Sequence, residues 1–105
     1  MYAEALKRGA TITVSCGLTA DDAVNLVRRR AGLTDLSGAT LQQIWDERRA
    51  ELALEEDRFF DLIRTNQAAT VLAAKGFTVN KHELFPIPAT QMALNLNLTQ
   101  NIGYN

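Results

Sequence analysis

The longest run of regular hydrophobic spacing begins at Leu41 and reads LQQIWDERRAELALEEDRFFDLIRT. Leu41, Ile44, Trp45, Leu52, Phe59, Leu62 and Ile63 fall on one stripe of a helix with 3.6 residues per turn, which predicts a single long amphipathic helix. Thr40 and Gln43 open it as a capping box, and Thr19 with Asp22 opens an earlier helix in the same way. That earlier helix carries Ala23, Leu26, Val27 and Ala31 at helical spacing and stops at Gly32. The chain starts in good helix formers, MYAEALKRG, with Tyr2, Ala3 and Leu6 on one face and Gly9 as the stop. QAATVLAAK predicts a further helix ending at Gly76, and ATQMALNLN offers about two turns more. Thr11 to Val14 is β-prone but too short for a sheet. The pattern therefore predicts an all-α, antiparallel helical array with short connectors.

The last stretch, ELFPIPATQMALNLNLTQNIGYN, breaks this pattern. Pro86 and Pro88 forbid a regular helix and favour an extended approach. The stretch is nearly free of charge and holds Phe85, Ile87, Met92, Leu94, Leu96, Leu98, Ile102 and Tyr104. It is expected to be buried against the helices rather than to trail in solvent. Asn and Gln side chains would satisfy its irregular backbone, and Gly103 would let Tyr104 approach closely.

At 105 residues the chain has room for one domain at most. Its net charge of -1 leaves no basic excess to neutralise phosphates, so nucleic-acid binding is not expected. Cys16 is the only cysteine, so no internal disulfide can form, and it reads as a small loop or core residue. No run approaches the ~20 apolar residues of a membrane span.

Two charges, Arg48 and Glu55, fall inside the apolar stripe, where an unpaired charge is costly. Around them the signs alternate at steps of three and four through Arg48, Glu51, Glu55, Arg58, Asp61 and Arg64. This predicts an ion-pair network that fixes helix register and contacts a neighbouring helix, partly through i,i+3 pairs. A carboxylate active site is the weaker reading, because each acid has an arginine in reach, and arginine lowers the pKa that a general acid needs raised. His82 is the only histidine, so a histidine-based triad and a multi-histidine metal site both fail. There is no glycine-rich phosphate loop. Arg28, Arg29 and Arg30 point in different directions on a helix and read as a solvated face plus one buried ion pair. Trp45, Phe59, Phe60 and Tyr104 are aromatic enough to stack on sugar rings; Trp45 lies on the core stripe, and Phe60, off it, is the better candidate. No catalytic residue, metal ligand or cofactor is expected.

Several blocks occur in one order: YAEAL, NLVRRRAGL, IWDERRAELALEEDRFFDLIRT, FPIP and LTQNIGYN. In that order and spacing they resemble the C-terminal part of the SusD/RagB family over nearly the whole chain. The resemblance implies an all-helical fold of tetratricopeptide-like helix pairs, with FPIP…QN.GY as a closing segment packed back on the helices. It implies a surface-exposed outer-membrane lipoprotein that binds glycans or other nutrients without catalysis and partners a SusC-like TonB-dependent transporter. The chain would then be a fragment of a longer protein, with the lipid anchor and most of the glycan surface upstream. Trp45, Arg48, Glu51, Glu55, Arg58, Asp61, Pro86, Pro88, Gly103 and Tyr104 would have structural roles, and no ligand-binding residue carries over. The family commonly has glycine where Glu56 stands, so the helix break there is expected to soften into a kink. It often has proline at Ile102 and an acid at Gln91. The fragment is expected to self-associate as a homodimer that covers the open end of the array, where Tyr2, Ala3 and Leu6, and Trp45 with the other stripe residues, would lack upstream cover. An independent helical protein–protein interaction module is the alternative.

Overall fold

The computed structural model describes residues 1–10 and 17–104; the β-prone stretch from Thr11 to Val14 and Cys16 lie outside the described residues. The described residues are helical or irregular, with six α-helices and one 3-10 turn, so the fold is all-α. The helices are α1 (Tyr2–Lys7), α2 (Ala20–Arg30), α3 (Leu41–Glu51), α4 (Arg58–Arg64), α5 (Ala68–Val71) and α6 (Ala89–Leu94), with the 3-10 turn at Ala73–Lys75 after α5. They divide into two compact units, Met1–Glu56 and Asp57–Asn105.

The first unit packs α1, α2 and α3 on one another. The threonine hydroxyls accept the N3 backbone N–H at both helix starts, Thr19 from Asp22 and Thr40 from Gln43, and each N3 side chain accepts from the cap backbone in return. These reciprocal bonds fill donors that a helix start leaves open. α2 stops where Gly32 turns left-handed at φ +73°, with Leu33 N–H donating to the Arg28 carbonyl and Gly32 N–H to that of Arg29. Glycine takes that conformation without a Cβ clash. The core is small: Ala3, Val24, Ala39 and Ile44 are buried, with Ala20, Ala23 and Leu36 against them. Leu26 and Ala31, expected on the inner face of α2, are exposed, and Val24 and Asn25 take the buried positions. On the first helix Ala3 is buried, while Tyr2 and Leu6 are half-buried, so its apolar face is covered in part.

The single helix expected over 41–65 is two. α3 ends at Glu51, and the chain turns through Leu54 at φ +71° and Glu56 at φ +64° before α4 starts at Arg58. Glu56 thus keeps the left-handed backbone that a glycine would favour, and the break is full rather than a kink. Helix propensity does not foresee the break, because Ala53, Leu54, Glu55 and Glu56 would all propagate a helix, and all four are exposed. Each half of the stripe turns inward within its own unit: Ile44 is buried and Leu41, Trp45 and Leu52 half-buried in the first, and Leu62 is buried and Phe59 and Ile63 half-buried in the second.

The second unit buries Leu62 and Ala68. α4 ends with Asn66 at φ +57°, where the N–H of Gln67 donates to the Leu62 carbonyl. Phe85, in the irregular segment, lies with its ring 6.3 Å from that of Phe59 on α4.

Candidate functional site

In the first unit, side chains of α2 hold both the connector after it and the helix that follows. Asn25 is 5% exposed; its Nδ2 donates to the Leu36 carbonyl and its Oδ1 accepts the Leu36 N–H, both at 2.8 Å. The Asp21 carboxylate accepts the N–H groups of Gly38 at 2.6 Å and Ala39 at 3.0 Å, with Lys7 Nζ 3.9 Å away. Those bonds let Ala39 lie fully buried without an orphaned N–H.

The three consecutive arginines of α2 each reach a different acid. Arg28 pairs with Glu47 of α3 at 2.5 Å and donates from Nε to the Thr34 carbonyl at 2.8 Å. Arg29 pairs with Asp35, and Arg30 with Glu51 of α3. Arg28 and Glu47 form the buried member, with side chains 16% and 11% exposed, whereas Arg29 and Arg30 face solvent. The Arg29 guanidinium, chiefly through its hydrogen bond, holds the Asp35 carboxyl below the ordinary carboxylate range, and the Thr19 hydroxyl and N–H hold Asp22 below it.

Beside this seam an open pocket of about 250 Å³ is lined by apolar residues that include Tyr2, Ala3, Val24 and Ile44 and by Glu47, Arg48 and Glu51. Trp45 stands half-buried with the Arg8 guanidinium 5.7 Å from its ring centre.

The alternating charges expected to form one ladder are divided by the helix break. Arg48 and Glu51 are on α3; Arg58 and Asp61 are on α4, where Arg64 pairs with Asp61 at 2.9 Å. Glu55 is exposed in the turn and so does not occupy an apolar seam. α2 is joined to α3 by Arg30 with Glu51, a member of the expected network, and by Arg28 with Glu47, neither of which local i,i+3 and i,i+4 spacing reveals.

The second unit closes on itself through its last residues. Gln100 Oε1 accepts the N–H of Ile87 at 2.8 Å and of Asn101 at 2.9 Å, while its Nε2 donates to the Ile87 carbonyl at 2.9 Å. Asn101 Nδ2 donates to the Phe85 carbonyl at 2.7 Å, and the Tyr104 hydroxyl donates to that of Leu84 at 3.0 Å. Pro86 and Pro88 flank Ile87 and have no N–H of their own, so the clamped stretch leaves few donors to satisfy. Gly103 stands at φ +86°, and a Cβ there would sit 2.9 Å from Lys81 Cβ and Cγ. Lys81 Nζ lies 5.1 Å over the Tyr104 ring. The expected burial of the apolar side chains of this segment holds in part: Ile87 and Met92 are half-buried, but Phe85, Leu94, Leu96 and Ile102 are exposed. Backbone capture by amides holds the segment, with little help from side-chain burial.

Phe60 is exposed, edge-on to Phe59 with ring centres 5.8 Å apart. His82 is half-buried in a turn, its Nδ1 accepting the Thr78 N–H at 2.8 Å. Among the described residues no group of three His, Cys, Asp or Glu could hold a metal ion, and no helix is long and apolar enough to cross a membrane.

These features define an all-helical chain whose connectors are fixed by side-chain capture of backbone, closed at its end by a Gln–Asn–x–Gly–Tyr clamp. The chain belongs to the SusD family, whose match covers residues 1–104. Members of that family are carbohydrate-binding, non-catalytic proteins associated with the outer membrane as lipoproteins. Comparison with curated proteins and with solved structures gives no match.

Proposed function

We propose that the chain is the C-terminal, structural portion of a non-enzymatic glycan- or nutrient-binding protein exposed at the outer membrane, working with a SusC-like TonB-dependent transporter. The observation that carries this reading is the family match over residues 1–104, which spans both the charged helices and the closing clamp. In this reading Trp45, Arg48, Glu51, Arg58 and Asp61 hold helices in place. Pro86, Pro88, Gly103 and Tyr104 hold the end of the fold, and glycan contacts lie in upstream regions of a longer protein.

Two measurements test it. A copy of the longer protein, tagged at its C-terminus and expressed in its native cells, should be recovered from the outer-membrane fraction together with a TonB-dependent transporter; recovery without any transporter would overturn the partnership. Incubation with a panel of plant and host polysaccharides should release no product, and hydrolysis that disappears in Glu55→Gln would overturn the non-enzymatic reading.

A further inference from the structure

The end of the chain meets a turn, and that turn is held by the only histidine in the sequence. Thr78 and His82 grip each other. The His82 N–H donates to the Thr78 carbonyl at 3.1 Å, and the Thr78 N–H donates to His82 Nδ1 at 2.8 Å. Between them Asn80 stands at φ +63°, with its N–H donating to Glu83 Oε1 at 3.0 Å. The imidazole lies edge-on to Phe77, ring centres 5.8 Å apart. Lys81, inside the turn, carries the contact to the closing segment. A Cβ on Gly103 would sit 2.9 Å from Lys81 Cβ and Cγ, and Lys81 Nζ lies 5.1 Å over the Tyr104 ring. The Tyr104 hydroxyl then donates to the carbonyl of Leu84, just past the turn.

His82 Nδ1 can play only one of two parts. As an acceptor it holds the Thr78 N–H, and the neutral ring keeps its proton on Nε2. With a proton of its own it becomes a donor, and two N–H groups would point at each other. A solvent proton added to the Nδ1 lone pair therefore sends the Thr78 N–H to water without breaking a covalent bond. Histidine is the side chain whose ordinary charge change falls between about pH 5 and 8. The charged side chains on the elements around the turn are Lys75 before it, Lys81 and Glu83 within it, and Arg58, Asp61 and Arg64 on α4, which the closing stretch meets through Phe85 and Phe59. Asp61 and Arg64 pair with each other, and residues 84–104 carry no charged side chain.

We propose that His82 is a pH-sensitive latch on the end of the chain: its protonation releases Thr78, loosens the turn and takes Lys81 away from Gly103 and Tyr104. The latch does not depend on the glycan-related role. Amide exchange tests it on the whole chain between about pH 7.5 and 5, expressed as protection relative to an unstructured peptide so that the intrinsic effect of pH cancels. Both limits lie above the range in which Asp22 and Asp35 take up protons. Protection of the Thr78 and Tyr104 amides should fall together by about fivefold or more as the pH drops, the factor that one hydrogen bond is worth. The Ile44 amide, bonded to the Thr40 carbonyl in the first unit, should keep its protection. In His82→Asn, whose Oδ1 is an acceptor that cannot take the proton, Thr78 and Tyr104 should show no pH dependence. Constant protection of either amide in the parent would overturn the proposal, as would the same fall in His82→Asn or an equal fall at Ile44.

Discussion

Removing the Gln100 amide should open the end of the chain. Gln100→Ala deletes three hydrogen bonds at once, two accepted from backbone N–H groups and one donated to the Ile87 carbonyl. Each is worth about 1 kcal/mol net, and Ile87 and Gln100 are only half-buried, so water recovers part of the loss; about 2–3 kcal/mol is expected. Gln100→Glu keeps an acceptor for both N–H groups but turns the donor toward the Ile87 carbonyl into a second acceptor, so it should cost about 1–2 kcal/mol. With two compact units in the chain, a global melt does not isolate the clamp. Native-state hydrogen exchange of the Met92 amide is the better probe. That amide bonds the Pro88 carbonyl at 3.1 Å within the loop that Gln100 closes, and neither substitution touches its own bond. Exchange should accelerate roughly 30- to 150-fold in Gln100→Ala and less in Gln100→Glu. An unchanged rate in the alanine variant, or a glutamate variant at least as fast as alanine, would refute the clamp as a closing device.

Arg28→Met should destabilise the first unit by about 2–3 kcal/mol, below the figure for a fully buried pair, because it leaves Glu47 mostly buried without its guanidinium; a urea titration followed by Trp45 fluorescence reads this. Glu56→Gly should be neutral to about 1 kcal/mol stabilising, since relief at φ +64° outweighs or balances the added freedom of the unfolded chain, whereas Glu56→Val should destabilise; the order of the two thermal midpoints checks it. Asp22 and Asp35 have folded pKa values below their unfolded ones, so their contribution is complete above the unfolded value and is lost as pH falls through the folded one. Stability should therefore drop below about pH 4, and an acid limb unchanged in Asp35→Asn would contradict this.

The helix starts were legible because a capping box is local: Thr19 with Asp22 and Thr40 with Gln43 declare themselves at a spacing of three. The break between α3 and α4 was not, since it falls in Ala53-Leu54-Glu55-Glu56, whose propensities argue for helix, and no glycine marks the positive φ values. A single buried ion pair in the arginine cluster could be anticipated from burial cost, but its partner could not. Glu47 is 19 residues from Arg28, and that pairing depends on how α2 crosses α3. The amides of the final segment could be assigned to backbone capture by type, while their partners, Ile87 and Phe85, emerge only when the chain turns back.

Asn25 with Leu36 and Gln100 with Ile87 are the same arrangement in two places: one side-chain amide grips both the N–H and the C=O of one distant residue. The gripped residue contributes only backbone, so every side chain but proline leaves the bonds possible. In a comparison of related chains these two amides would be fixed while their partners drift, and no correlated change would disclose the contact. The substitutions to watch are Leu36→Pro and Ile87→Pro, each of which would delete the donated N–H and break the grip from the side that looks unconstrained.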